Sequence, residues 1–219
     1  MKAYKTNLIL IFLLLGISPW AFSASAEMSS KHLRLVKDLM NNNLAYSQDA
    51  TTTNIIEWEE EIVDSLRQKK DYRNMFLMKQ MAVYAYSLQA KISEALKKAD
   101  AMMDEARLMK YNIGISLSYQ ALGDIYLNAG MRPEAVEEYE KAMKTLQATP
   151  HAEKIQERIF IQLVPTLIKL KRMDEAKAYL EHMSEICESK CLSPFLLYAY
   201  HAYYYLRNND LSKAREYID

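Results

Sequence analysis

The sequence predicts an all-α protein built as a solenoid of antiparallel helix pairs, and three observations carry that prediction. Only 4 glycines and 5 prolines stand against 50% hydrophobic residues in the 219-residue chain. That composition suits packed helices and leaves few of the residues that break them. Apolar residues recur three and four apart along most of the chain after the leader, the period of a helix with one buried face. A short turn-plus-alanine pattern also recurs, as Ile92-Ser93-Glu94-Ala95, Arg132-Pro133-Glu134-Ala135, Met173-Asp174-Glu175-Ala176 and Leu211-Ser212-Lys213-Ala214, with its alanines 40, 41 and 38 residues apart. Repetition at this period means stacked helical units that bury their apolar faces against one another.

The first element is a leader. Lys2 and Lys5 precede an apolar run over residues 8–17, which Ser18-Pro19 ends, and Ala24-Ser25-Ala26 supplies a small-residue cleavage site. This three-part order is that of a secretory signal peptide over residues 1–26, with cleavage expected after Ala26 and a periplasmic or secreted mature chain. The run is shorter than the roughly 20 residues a bilayer-spanning helix needs. Cleavage removes two lysines, leaving 26 basic against 28 acidic side chains. So even a balance gives no electrostatic reason to expect nucleic acid or an anionic membrane as partner.

Next comes a pair of helices over residues 27–70, an N-terminal cap or degenerate repeat. Leu33, Val36, Leu39 and Met40 give the first an apolar face over residues 29–43, and residues 45–53 read as a polar loop. Asn54 with Glu57 three residues on has the spacing of a capping box, followed by Ile55, Trp58, Ile62, Val63 and Leu66. Four repeats then follow over residues 71–219, at about 76–115, 116–156, 157–194 and 195–219, the last incomplete. The second is the best formed. Gly130 can adopt a positive φ and end its first helix, and Pro133 fits the first turn of its second. Leu122-Gly123 sets a large side chain beside a gap that lets the second helix approach, and Ala135, Tyr139 and Ala142 share one face. Ser93, Asp174 and Asp210 are placed to cap second helices. Pro165 is expected to bend its helix or start it late. The chain stops at Asp219 within the expected second helix of the fourth pair. Because solenoids need a polar capping helix, a longer parent protein is expected.

The hairpin from Tyr119 to Ala142 resembles the tetratricopeptide repeat (TPR). With Ser116 as position 1, Tyr119 falls at 4, Leu122-Gly123 at 7 and 8, Tyr126 at 11, and Ala135, Tyr139 and Ala142 at 20, 24 and 27. The late proline departs, since Pro150 lies three residues beyond its usual place. The resemblance implies a right-handed superhelix whose first helices line a concave groove for an extended peptide or a partner helix. It places Gln80, Tyr84, Gln120, Asp124, Asn128, Arg158, Lys169, Tyr203 and Arg207 in that groove. It implies a protein or peptide partner and no cofactor. A leader followed by several long TPR units also resembles the periplasmic sensor region of membrane-bound regulators of the histidine-kinase type. A free periplasmic scaffold for envelope assembly, or an accessory domain of an exported enzyme, are the alternatives.

Little in the chain points to catalysis. Cys187 and Cys191 are four residues apart, where helical Cβ atoms lie about 5–6 Å from each other and an unstrained disulfide needs about 3.8 Å. The expected helix end before Pro194 allows the backbone to turn, so a small disulfide staple and two free thiols both remain open. A zinc set with His182 lacks a fourth ligand. The histidines His32, His151, His182 and His201 are scattered over separate elements. Carboxylate runs such as Glu57, Glu59, Glu60 and Glu61, and Glu137-Glu138, read as solvated helix faces. No nucleophile elbow or phosphate loop is present. The 16 tyrosines and 13 methionines read as fillers of helix seams.

Overall fold

A computed structural model describes the backbone of residues 48–190 and 194–218 and the side chains of 55–186 and 196–218. The leader, the helix expected over 29–43, the side chain of Cys187 and all of Cys191 lie outside these residues. Within them the chain is helical throughout: α1 (Gln48–Gln68), α2 (Tyr72–Leu88), α3 (Ile92–Leu108), α4 (Asn112–Asn128), α5 (Arg132–Leu146), α6 (Glu153–Lys169), α7 (Met173–Lys190), α8 (Pro194–Arg207) and α9 (Leu211–Glu216).

The turns are built alike. At the end of α2, Ala90 N–H donates to the Ser87 carbonyl and Lys91 N–H to the Tyr86 carbonyl, while Ala90 sits at φ 58°. This is a Schellman motif, which satisfies the last carbonyls of a helix through one left-handed residue. The same pair of bonds closes α1 at Lys70, α3 at Lys110, α4 at Gly130, α6 at Lys171 and α8 at Asn209. Three residues then suffice between α2 and α3, α3 and α4, or α4 and α5. The repeat exceeds the usual 34 residues because α2, α3 and α4 each run to 17. Asp210 caps α9 by accepting from Lys213 N–H at 3.1 Å, and Asp71 caps α2 the same way through Asn74. Ser93 and Asp174 do not cap; they lie inside the first turns of α3 and α7.

Packing is in two layers. α2 touches α4, α4 touches α6 and α6 touches α8, whereas α3, α5 and α7 barely meet one another. First helices therefore line one side of the stack and second helices the other, with the closest contact between first helices at α2 and α4. The recurring alanines sit at these seams: Ala95, Ala135 and Ala176 are wholly buried and Ala214 nearly so. Larger side chains would push the helices apart. Phe76, Met75 and Met102 fill the core between the first pairs, and Ile159, Leu163 and Leu167 fill it further on. The closest approach is at Gly123, where a Cβ would fall 2.5 Å from Cε1 of Tyr139.

Three expectations are corrected. α1 begins at Gln48, so residues 48–53 are helix and Asn54 lies inside it. Nothing in that stretch is Gly or Pro, and polar residues cost a helix only a few tenths of a kcal/mol each, about 0.7 at most. Glu59 is not a solvated carboxylate; it is buried and pairs with Lys98 of α3. Pro165 does not delay α6, which starts twelve residues earlier at Glu153.

Pro165 instead leaves a partner to be found. It has no N–H for the carbonyl of Ile161, four residues before it. Tyr200 of α8 donates its hydroxyl to that carbonyl at 3.0 Å, and its ring meets Phe160 edge-on at 5.7 Å. Burial pushes the Tyr200 phenol up to about 12, so it stays a donor. Tyr200→Phe keeps the ring and orphans the carbonyl, and is expected to cost about 1–2 kcal/mol. In a Pro165→Ala background, where an N–H returns to Ile161, most of that penalty should vanish. A double-mutant cycle by urea denaturation reads the difference, and an unchanged penalty would refute the pairing.

Candidate functional site

The inner layer carries a polar stripe because α2 and α4 repeat polar residues every fourth position. Gln80 and Tyr84 stand one turn apart on α2, and Gln120, Asp124 and Asn128 one turn apart on α4. Arg158 reaches them from α6 and Tyr139 from α5. The residues meet in a buried cluster. Tyr139 donates its hydroxyl to Asp124 Oδ1 at 2.7 Å, and Gln80 Nε2 donates to Asp124 Oδ2 at 3.2 Å. Arg158 Nη2 donates to Gln80 Oε1 at 2.5 Å. Gln80, Gln120, Asp124 and Arg158 are all at most 6% exposed.

The electrostatics follow from that burial. Desolvation pushes the Asp124 carboxyl up to about 6, although the Tyr139 hydroxyl, the Arg158 charge and the Gln80 amide all pull it down. Desolvation also holds the Arg158 guanidinium down to about 10, with Asp124 opposing that shift and Arg73 adding to it. The Tyr139 phenol is raised well above its ordinary value by burial and then by Asp124, and Tyr84 is raised by the same two causes. Gln80 bridges Asp124 and Arg158, which make no direct ion pair, and the hydrogen bonds of the cluster are incomplete. Arg158 Nε and Nη1 and Gln120 Oε1 are buried with no partner.

The other groove residues lie apart from the cluster. Asn128, Lys169 and Arg207 are exposed, and Tyr203 is half-buried. Asn128 Nδ2 donates to Ser87 Oγ at 3.0 Å, tying α4 to α2. Two participants had no signal at the sequence level: Tyr139, whose repeat position marks it only as a packing residue, and Arg73, whose charge bears on Arg158. The Tyr139–Asp124 spacing of fifteen residues crosses the turn at Gly130, so no single-helix period exposes it.

Elsewhere the polar groups hold the stack together. Glu105 of α3 pairs with Arg67 of α1 at 2.9 Å and with Lys79 of α2. Burial pushes the Glu105 carboxyl up, yet those two cations bring it below its ordinary value. His201 is buried, stacked on Tyr217 at 4.6 Å, with Ser184 Oγ 3.1 Å from its Nε2. His151 and His182 are exposed, and His32 lies outside the described residues. Among the described residues no group of three His, Cys, Asp or Glu is placed to hold a metal ion, and no helix is long and apolar enough to cross a membrane.

A family model of the tetratricopeptide repeat (TPR_8) matches residues 117–145. That stretch runs from the first turns of α4 through the Gly130 turn to the end of α5. No curated protein matches the chain. The all-helical stack of consecutive pairs and the matched repeat agree on a TPR-like solenoid, a module that generally mediates protein–protein binding.

Proposed function

We propose that the chain is a non-enzymatic scaffold that binds a protein or peptide along the inner face of α2, α4, α6 and α8. The observation that carries this reading is the polar stripe of that face, which ends in buried donors and an acceptor left unmatched. Buried polar groups ordinarily find partners, and each that does not calls for an explanation. The outer helices offer no comparable set among the described residues. The leader over residues 1–26 supports export to the periplasm, and its order ahead of long TPR units supports a role as the sensory part of a longer signalling protein. A free scaffold for envelope assembly is the alternative, favoured by the same groove.

Photo-crosslinking tests the groove. A photoreactive residue at Asn128, Lys169 or Arg207, all exposed at groove positions, is expected to capture a discrete partner in cells. The same probe at Lys97 or Lys144, exposed on the outer helices α3 and α5, is expected to capture none. Lys169→Glu with Arg207→Glu should reduce capture about tenfold if both meet the partner. Equal capture from both faces would refute groove binding. Arg158 is unsuitable for charge reversal, because its burial makes any loss of capture a folding effect.

A further inference from the structure

We propose that the edge of the stack formed by the turns after α1, α3 and α5 docks on an anionic lipid surface, with Leu108 entering the acyl region between Lys69, Lys70, Arg107, Lys110 and Lys154. The inference is independent of the groove and concerns a different side of the molecule.

Antiparallel pairing brings the C-termini of the second helices to one edge. Three contacts hold their turns side by side there. Arg67 Nη2 meets Glu105 Oε1 at 2.9 Å, the Tyr72 and Tyr111 rings lie 6.5 Å apart, and Asn112 Nδ2 donates to Thr149 Oγ1 at 3.4 Å. Leu108, the last residue of α3, stands in the middle turn at 85% exposure, the highest of any large apolar side chain among the described residues. Helix packing does not require it. The same place at the end of α1, two residues before the left-handed turn residue, holds Gln68. Around Leu108, Lys69 and Lys70 follow α1, Arg107 and Lys110 flank it in sequence, and Lys154 opens α6. All five cations are exposed, and none has a carboxylate partner among the described residues. The carboxylates nearby are mostly engaged: Asp64 and Glu105 pair with Arg67, Asp71 accepts from Asn74 N–H, and Glu153 is half-buried, which leaves Asp104. The even overall charge of the chain hides this segregation. Cations at helix ends also complement the helix dipole, but a dipole does not call for a bare leucine beside them. A peripheral membrane site calls for both, with cations at the headgroups, each worth about fivefold in binding, and an apolar side chain below them. A protein partner would have to offer a pocket for Leu108, whereas turns projecting in a row meet a flat surface.

The test is cosedimentation of the full chain with vesicles of about one-third phosphatidylglycerol in phosphatidylcholine. Binding is expected to exceed that to phosphatidylcholine alone by about tenfold or more, and to fall as salt rises from about 0.1 to about 0.5 M. Leu108→Ser should weaken it about tenfold. Lys69→Glu with Arg107→Glu should weaken it about 25-fold or more. Lys97→Glu with Lys171→Glu makes the same net charge change at exposed sites away from this edge, and is expected to cost at most about twofold. Because the leader is itself apolar, a local readout accompanies these. A photoreactive residue in place of Leu108 is expected to capture lipid from the vesicles, and the same residue in place of Lys97 none. Equal binding to both vesicles, an inert Leu108→Ser, or an equal loss in the Lys97 and Lys171 pair would each overturn the proposal. In cells, capture by position 108 of a protein and no lipid would make the edge an acidic-protein surface and overturn it too. The groove stands or falls separately, on crosslinking from Lys169 and Arg207.

Discussion

Gly123→Ala should lower the unfolding free energy by about 3 kcal/mol. The new Cβ would lie 2.5 and 2.7 Å from two carbons of the Tyr139 ring, distances that real contacts do not reach, and 3.0 Å from a third. The ring cannot retreat. Tyr139 is 0% exposed, and its hydroxyl is held on Asp124 at 2.7 Å. Either α5 moves away from α4 or the Asp124 hydrogen bond breaks, and both routes disturb the inner cluster. Alanine's better helix propensity returns at most about 1 kcal/mol, so the sign is not in doubt. The measurement is the urea midpoint at constant m-value. Tyr139→Leu supplies the control. It is costly by itself, but in its presence the extra penalty of Gly123→Ala should shrink to less than about 1 kcal/mol, a coupling that only direct contact gives. A neutral Gly123→Ala would mean that the two helices do not approach as closely as the structure shows.

That same pair shows what the sequence made legible and why. A small residue facing a large one across a two-helix turn is a local code: Gly123 and Tyr139 are sixteen residues apart, and the Gly130 turn fixes how they meet. The hairpin, its period and the alanine seams could therefore be read without coordinates. Features set by the stacking of one pair on the next could not. Arg158 reaches Gln80 across 78 residues, Lys98 reaches Glu59 across 39, and Tyr200 reaches Ile161 across 39. Each contact depends on how one repeat is rotated against another, and that rotation arises from summed packing rather than from any residue pattern. The turns were half legible for a different reason. Gly130 announced a left-handed residue, yet Lys70, Ala90, Lys110, Lys171 and Asn209 take the same conformation with a side chain. Closing the Schellman bonds offsets a strain of about 1–2 kcal/mol at each. Groove positions taken from the repeat were legible as positions only. Burial turned Gln80, Gln120, Asp124 and Arg158 into a closed network and left Lys169 and Arg207 at the surface.

Asp124 should give the protein a pH dependence opposite to that of carboxylates paired with cations. Its carboxyl is pushed up to about 6 from an ordinary value of 3.8, chiefly by burial. The folded chain therefore binds this proton more tightly than the unfolded chain does between those values. Its contribution to stability is fully present below about pH 4 and is lost as pH rises through about 6, by about 3 kcal/mol in all at about 1.4 kcal/mol per unit. Glu105 works the other way: its lowered carboxyl contributes stability that is lost as pH falls. Raw stability curves mix the two, so the measurement is the difference between the wild type and Asp124→Asn from pH 4 to 7.5. Asparagine keeps an acceptor for Tyr139 but turns an N–H toward Gln80 Nε2, a conflict worth about 1 kcal/mol that does not titrate. Above that constant offset, the difference should move by about 3 kcal/mol in favour of the asparagine variant as pH rises. Parallel curves would sink the prediction, because they would mean that Tyr139, Gln80 and Arg158 together offset the whole desolvation of the carboxylate. A sloping difference would mean that burial outweighs those partners, and that at neutral pH the ionised Asp124 is held in the cluster by the rest of the fold.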